Sequence, residues 1–247
     1  MIKSAHKQHF DEYGYVTLPK LFVEGQLSPI RELVDVFHHK WCMHNYEFYS
    51  KQAVNSSGLT SQQYLNDAMR LSLFELICDT SILNVVQQII PAPLFMGTQL
   101  FFDPVTAEQA NYWHRDPQYH LSPEEQKAAL SGPEVLHVRL PLRDEPGIEL
   151  IPGSHRQWDN EEELQVRLQQ NGHTNADHLS RGKTLPLQYG DGLVFSANMI
   201  HRGLYGNNRL SLDILYCERA THLIEFINPE HQPSAAMQAK LNQNLFL

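Results

Sequence analysis

The fold is organised around residues Gly190 to Asp213, which read GDGLVFSANMIHRGLYGNNRLSLD. A glycine turn opens the stretch, a short apolar strand follows at 193–195, and His201 comes just before a glycine- and asparagine-rich connection at 203–208. Beyond that connection polar and apolar residues alternate, as in a strand with two distinct faces. The pattern predicts a hairpin with an imidazole on one strand and a guanidinium on the next. The polar face of the second strand carries Arg209, Ser211 and Asp213.

A second histidine lies within the segment NYWHRD, where a strand over residues 111–120 is predicted. Residues two apart in a strand share a face, so His114 and Asp116 can bind one ion together. The chain has another His-x-Asp pair at 9–11, but that pair falls in a predicted helix, where residues two apart diverge. His114 and Asp116, together with His201, are therefore the candidate metal ligands.

Two neutral imidazoles and one carboxylate leave three adjacent positions open on a metal, which suits non-haem Fe(II) and oxygen chemistry. A structural zinc site would instead be closed by four protein ligands. Two open positions fit the keto and carboxylate oxygens of 2-oxoglutarate, and the third fits O2. The far carboxylate of 2-oxoglutarate then needs a cation, which Arg209 can supply with Ser211 as a second donor. Gln99, on the strand predicted before the metal-binding segment, is a further candidate contact to this co-substrate.

Four segments of the chain resemble the phytanoyl-CoA dioxygenase-like (PhyH) family of Fe(II)- and 2-oxoglutarate-dependent oxygenases. They are FDEYGYVTLPKLF, WHRD, ELIPGSHR and GDGLVFSANMIHRG. The resemblance implies a double-stranded β-helix, or jelly roll, with His114, Asp116 and His201 as iron ligands and catalytic residues. It also implies that Arg209 and Ser211 anchor 2-oxoglutarate. Halogenating relatives replace the carboxylate ligand with a small residue, so Asp116 favours hydroxylation of a substrate C–H bond, or a related oxidation, with release of succinate and CO2.

Helical patterns come first in the sequence and strand patterns later, which is typical of a mainly β protein with flanking α-helices. We expect a single domain over 1–247, in which a helical part, 1–90, packs on a jelly-roll core, 94–220. A charged insertion over 153–184 is expected to form a lid, a binding loop or a solvated excursion. The predicted helices are 5–12, one that starts at Ser28–Pro29, 61–77, 81–89 and 159–170, with a loop over 45–60. The predicted strands are 14–19, 95–102, 111–120, 134–142, 147–151, 185–189, 193–199 and 209–218.

The chain has 247 residues and a formal net charge of −9, and no run is rich in lysine and arginine. This charge argues against nucleic acid or an anionic membrane as a partner and favours a small-molecule substrate. The three cysteines are far apart and odd in number, which fits neither a disulfide framework nor a thiolate zinc site. Because the sequence shows no apolar leader or span, we expect a cytoplasmic protein.

Residues next to the predicted metal site are candidate contacts to the substrate. A pocket with several arginines would override the average charge and admit an anionic substrate. His155, in the Pro-Gly-Ser-His turn, is expected either to support the metal site or to pack the turn. The candidate contacts are Arg115, Tyr119, His120 and Arg139, and the arginines of such a pocket are Arg115, Arg139 and Arg156.

Two other functions remain open at this point. One is a metal-dependent jelly-roll enzyme that does not use 2-oxoglutarate, such as an isomerase. The other is a non-catalytic protein that binds a metabolite or a metal. Anaerobic addition of Fe(II) and 2-oxoglutarate separates the first from the predicted oxygenase, because only an oxygenase of this type forms the coloured chelate.

Overall fold

The computed structural model describes residues 4–106, 111–241 and 243–247. Within these ranges, helices dominate the first third of the chain and strands the remainder, as the sequence predicted. The helices are α1 (Ala5–Tyr13), α2 (Glu24–His44), α3 (Tyr46–Lys51), α4 (Asp67–Ile77), α5 (Thr80–Ile89), α6 (Pro123–Ala129), α7 (Glu161–Arg167), α8 (Thr221–Ile224) and α9 (Ala235–Gln238). The strands are β1 (Tyr15–Leu18), β2 (Asn55–Ser57), β3 (Leu94–Phe102), β4 (Val135–Pro141), β5 (Glu145–Leu150), β6 (Lys183–Leu187), β7 (Gly192–Ser196), β8 (His201–Gly203) and β9 (Leu210–Cys217).

The strands form two antiparallel sheets that pack face to face. The large sheet has the order β1-β7-β4-β9-β3-β2, and the small sheet has the order β6-β5-β8. One buried cluster joins the two sheets, with Leu193 and Phe195 from the large sheet and Ile148 and Leu150 from the small one. This arrangement confirms the predicted jelly roll with flanking helices.

The two faces of the large sheet have different neighbours, because successive side chains along a strand point to opposite sides. On the outer face, Leu100 and Leu212 share a buried cluster with helix residues such as Phe37 and Phe74. Burying such side chains contributes about 1.5–3 kcal/mol each and stabilises the packing of the helices on the sheet. The inner face of β3, β4 and β9 lies between the sheets, and the polar residues of the predicted site are found there.

The second helix differs from its prediction. It begins at Glu24 rather than at Ser28–Pro29, so the proline lies inside the helix. An extra turn forms ahead of the proline because the buried Leu27 packs into the core. The Gln26 side chain also accepts a hydrogen bond, at 3.0 Å, from the backbone N–H of the preceding Val23.

The predicted loop over 45–60 is also wrong in part, because it contains α3 and β2. Aromatic packing explains α3: the Phe48 ring lies 6.2 Å from that of Trp41, and the Tyr49 ring lies 5.7 Å from that of Phe102. Such contacts between distant segments override weak local patterns. Among the described residues, none of the helices combines the length and the apolar composition needed to cross a bilayer.

Candidate functional site

His114 and His201 are brought together by backbone pairing. The His114 N–H donates to the His201 carbonyl at 3.0 Å, and the His201 N–H donates to the His114 carbonyl at 2.9 Å. Their ring centroids are 4.3 Å apart. The predicted strand over 111–120 is wrong, because this isolated bridge is the only strand-like pairing in a segment that the structure describes throughout.

Asp116 joins the two histidines from a tight turn rather than from a strand. It starts a 3-10 turn, Asp116–Tyr119, and its backbone N–H donates to the Ala197 carbonyl at 3.2 Å. Its Oδ1 lies 3.4 Å from His114 Nε2 and 3.7 Å from His201 Nε2. One ligand atom from each of these three residues lies within 4.8 Å of the others, a spacing that one metal ion can bridge.

Backbone carbonyls fix the orientation of both imidazoles. His114 Nδ1 lies 3.1 Å from the Tyr112 carbonyl, and His201 Nδ1 lies 3.0 Å from the Met199 carbonyl. A carbonyl only accepts, so each Nδ1 carries the proton and each Nε2 keeps a lone pair for a metal. Burial lowers the pKa of His201 to about 3, which keeps this imidazole neutral.

The second oxygen of Asp116 belongs to a buried chain of charged groups that the sequence did not reveal. Asp116 Oδ2 lies 2.7 Å from His137 Nε2, and His137 Nδ1 lies 3.1 Å from Asp213 Oδ2. Arg139 in turn donates to both oxygens of Asp213, at 2.8 Å each. Burial alone would lower the pKa of His137, but Asp116 and Asp213 outweigh it and raise that pKa to about 9. Polar residues at alternate positions of the apolar strand VLHVRLP were the available signal.

Arg209 and Ser211, the predicted anchor, lie together around a third residue, Glu145. Arg209 is buried, and its Nε donates to Glu145 Oε2 at 3.0 Å. The Ser211 hydroxyl donates to the same carboxylate oxygen. Arg209 Nη1 and Nη2 have no hydrogen-bond partner among the described residues, and Arg209 lines the central cavity. The guanidinium therefore retains two donors for an anion.

A β-bulge explains why the sequence did not reveal Glu145. The register between β5 and β6 shifts between Glu145 and Ile148, which inserts one extra residue in β5. Gly147 makes the bulge possible, because it has φ of +90° and a Cβ there would lie 1.9 Å from the Leu185 carbonyl oxygen. The bulge turns Glu145 inward, where only 5% of its surface is exposed.

The space between the sheets is a cavity of about 930 Å³ that contains all three candidate metal ligands. This volume is at the upper end of the roughly 300–1,000 Å³ found for small-molecule sites. Gln99 lines the cavity from β3, where it is in register with Asp213. The cavity is also lined by Tyr119, His120 and Arg139, three of the candidate substrate contacts.

Arg115, the fourth candidate contact, lies elsewhere, in a buried cluster. Its Nη2 donates to Asp159 Oδ1 at 2.7 Å, and Arg167 Nε donates to Asp159 Oδ2 at 2.7 Å. This cluster ties the insertion over 153–184 to the segment that carries the metal ligands. The part of the insertion that ends at Arg167 is thus packed, whereas most residues from 169 to 184 are half-buried or exposed. No described residue of the insertion lines the cavity, which argues against a lid.

His155 packs the Pro-Gly-Ser-His turn. Its ring lies 5.5 Å from that of Phe10, and a Cβ on Gly14 would lie 2.6 Å from its Nδ1. Both ring nitrogens of His155 are buried without a hydrogen-bond partner among the described residues. Of its two expected roles, the structure supports packing of the turn.

Comparisons with known proteins agree with this architecture. The model of the phytanoyl-CoA dioxygenase (PhyH) family matches residues 10–208. No curated protein matches the chain significantly. The solved structure of HygX from Streptomyces hygroscopicus, with nickel and 2-oxoglutarate bound, is 14% identical, with a TM-score of 0.65 over 87% of each chain.

Two further solved structures share the fold. EctD from S. alaskensis is 15% identical, with a TM-score of 0.61 over 88% of this chain and 77% of that chain; it has also been solved with bound Fe and with 2-oxoglutarate and 5-hydroxyectoine. SnoK, the non-heme alpha ketoglutarate dependent carbocyclase from nogalamycin biosynthesis, is 14% identical, with a TM-score of 0.58 over 91% of each chain. At these identities the similarity shows the fold.

Proposed function

The chain belongs to the phytanoyl-CoA dioxygenase (PhyH) family, and on that premise we propose that it is an Fe(II)- and 2-oxoglutarate-dependent dioxygenase that hydroxylates a C–H bond of a small molecule. The observation that carries the proposal is the convergence of His114, Asp116 and His201 on one point of the cavity wall. HygX and EctD, which share this fold, have been solved with 2-oxoglutarate, and this supports the choice of co-substrate.

The donor set fits Fe(II). Two neutral imidazoles present Nε2, one carboxylate presents Oδ1, and all three residues face the cavity, so positions remain for other ligands. His137 holds the second oxygen of Asp116, which restricts the carboxylate to binding through the first.

The anchor fits the far carboxylate of 2-oxoglutarate. Arg209 offers Nη1 and Nη2, two parallel donors that suit bidentate binding of a carboxylate. Gly203 leaves room for this guanidinium, because a Cβ there would lie 2.5 Å from Nη1. Gln99 lines the cavity in register with Asp213, one inner-face position beyond Ser211, and we propose it as a further contact to the co-substrate.

In the overall reaction, O2 receives electrons from two donors, 2-oxoglutarate and the substrate. Each O2 accepts two electrons from 2-oxoglutarate, which loses CO2 and becomes succinate, and two from the substrate C–H bond. One oxygen atom enters the succinate carboxylate and the other enters the product hydroxyl group. Bound iron supplies the activation of O2, while His114, Asp116 and His201 hold it and Arg209 orients the co-substrate.

Anaerobic titration with Fe(II) and 2-oxoglutarate tests the proposal. The chelate gives a weak visible charge-transfer band, which we expect for the wild type and not for Asp116→Ala. The matched control is Asp11→Ala, which alters the other His-x-Asp pair, on α1 and remote from the cavity. A band of equal intensity in Asp116→Ala, or a wild-type protein that never converts 2-oxoglutarate to succinate with any substrate, would contradict the proposal.

A further inference from the structure

The inner face of β9 changes from charged to apolar along its length. Ser211 contacts Glu145 at one end, Asp213 is paired with Arg139 in the middle, and Leu215 lines the cavity farther on. Inner-face residues follow one another at about 6.5 Å, so Leu215 lies about 13 Å along the strand from Ser211. The cavity therefore extends well beyond the space that a five-carbon co-substrate needs.

The far end of the cavity is apolar and open. Gly97 lies in register with Leu215, and a Cβ at position 97 would meet no atom within 4 Å. This part of the cavity is therefore empty space rather than packed core. We call it the apolar arm, and its apolar walls are Met96, Val135, Leu215, Leu223 and Phe226. The exposed His120 lies at its rim, with its ring 5.4 Å from that of Phe226.

Among the described residues that line the cavity, no arginine or lysine lacks a carboxylate partner. Within the described part of the chain, two arginines line it, and each is bound to a buried carboxylate. Arg139 is held by Asp213 at 2.8 Å, and Arg209 is held by Glu145 at 3.0 Å. The two free donors of Arg209 are already assigned to 2-oxoglutarate.

The buried charges around the cavity leave no net positive charge for a substrate. Asp116 adds a third carboxylate to the two that are paired with the arginines. A divalent metal and a dianionic co-substrate cancel each other, so cations do not outnumber carboxylates even when His137 is protonated. A phosphate buried there would lose its hydration without gaining a free cation, which disfavours its binding.

The arginines that the sequence suggested for an anionic substrate are unavailable. Arg115 is buried in the cluster with Asp159. Arg156 lies on the surface near Asp11, with the two charged groups 3.7 Å apart. Neither residue lines the cavity. Of the three arginines suggested by the sequence, Arg139 alone does so.

We infer that the substrate is an uncharged small molecule whose hydrocarbon body lies in the apolar arm, and that it carries neither a phosphate nor a coenzyme A group. The inference rests on the proposed function, because the metal and co-substrate define which part of the cavity is left for the substrate. The C–H bond to be oxidised then lies where the apolar arm meets His137 and the metal ligands, since Leu215 is in register with His137.

Matched pairs of probes test the inference. Protein loaded anaerobically with Fe(II) and 2-oxoglutarate is titrated with geraniol and geranyl phosphate, then with 4-phenylbutanol and its phosphate, while the charge-transfer band is followed. We expect at least one alcohol to shift the band and to bind at least tenfold more tightly than its phosphate. The inference is overturned if the phosphates bind as tightly as the alcohols, if geranylamine binds more tightly than geraniol, or if neither alcohol shifts the band.

Filling the apolar arm provides the second measurement. Gly97→Leu should leave the band of the chelate unchanged and weaken binding of the alcohol at least tenfold. The matched control is Gly25→Leu on α2, where an added Cβ likewise meets nothing within 4 Å and which should bind as the wild type does. If Gly97→Leu does not fold, Leu223→Gln tests the same wall from α8. Alcohol binding that is unchanged in the folded variant places the substrate elsewhere.

The two proposals fail in different ways. Absence of the charge-transfer band in the wild type contradicts the proposed function itself. A normal band that responds to phosphates rather than to alcohols contradicts only the inference about the substrate.

Discussion

Glu145 and Arg209 share one buried hydrogen bond that leaves the outer guanidinium nitrogens without a protein partner. Arg209 Nε lies 3.0 Å from Glu145 Oε2, which also accepts from Ser211, while Nη1 and Nη2 have none among the described residues. The carboxylate thus orients the guanidinium and at the same time offsets its charge. Both effects bear on the affinity for an anionic co-substrate.

Glu145→Gln should strengthen binding of 2-oxoglutarate. The amide oxygen can still accept from Arg209 Nε, but the competing negative charge is removed. We expect the Kd to fall by several-fold, up to about tenfold or about 1.4 kcal/mol, in calorimetric titrations with Fe(II) present. Glu149→Gln is the control. Glu149 lies on the same strand as Glu145 and pairs with Arg202 of β8, but it does not line the cavity. An unchanged Kd would mean that Glu145 has no electrostatic effect on the anchor.

Arg209→Met should weaken binding of 2-oxoglutarate at least 100-fold while metal binding persists. Losing one partner of a buried charge pair typically costs about 2–5 kcal/mol, and here the ligand loses both of its donors. The KM for 2-oxoglutarate and metal titration of the same sample measure the two effects separately. Arg143→Met is the control, because this arginine is partly exposed and pairs with Asp35. Full activity of Arg209→Met would favour a metal-dependent enzyme that does not use 2-oxoglutarate.

His137→Phe should reduce metal affinity by about 10- to 100-fold, the range usual for a residue that orients a metal ligand. Phenylalanine retains the stacking on Phe195, whose ring centroid lies 4.8 Å away, but releases the second oxygen of Asp116. Calorimetric titration of the metal-free protein with Co(II) measures the change without any turnover. We expect His137→Gln, which keeps one hydrogen-bond donor, to have an intermediate metal affinity. His39→Gln, on the exposed face of α2, should bind the metal as tightly as the wild type does. Equal metal affinities in all variants would show that metal binding by Asp116 does not depend on its contact with His137.

The buried His155 should lower the free energy of unfolding at acidic pH. Burial, followed by the nearby Arg156, lowers its pKa from 6.5 to about 4 in the folded state. The unfolded chain therefore binds a proton that the folded chain does not, so stability is complete above pH 6.5 and falls as the pH drops toward 4. The loss over this window is about 3 kcal/mol.

His155→Phe should remove this part of the pH dependence. Because neither ring nitrogen has a partner, phenylalanine should cost little at pH 7, while its stability at pH 4.5 should exceed that of the wild type. Urea unfolding at both pH values, with His39→Phe as control, measures the difference. Parallel pH profiles of His155→Phe and the wild type would contradict the prediction.

Much of the architecture could be predicted from patterns within the chain. Alternation along 209–218 and a strand-length pattern over 134–142 placed β9 and β4 correctly. One face of each strand packs against helices and the other faces the cavity. The helix start at Ser28–Pro29 was wrong, since burial of Leu27 added a turn that capping signals alone did not indicate. Local signals locate elements well, but tertiary contacts set their ends.

The sequence by itself indicated a mainly β protein with flanking helices, because helix and strand periodicity are local properties of the chain. Its four family-like segments implied the jelly roll and the three candidate metal ligands. Only the tertiary structure decided what surrounds them. His137 reaches Asp116 because two strands place it there, and Glu145 reaches Arg209 because a bulge turns it inward. Buried charges find their partners across the fold rather than along the chain, since an unpaired one is costly away from water. For the same reason the arginines of the cavity are already neutralised, and this leaves an uncharged arm for the substrate.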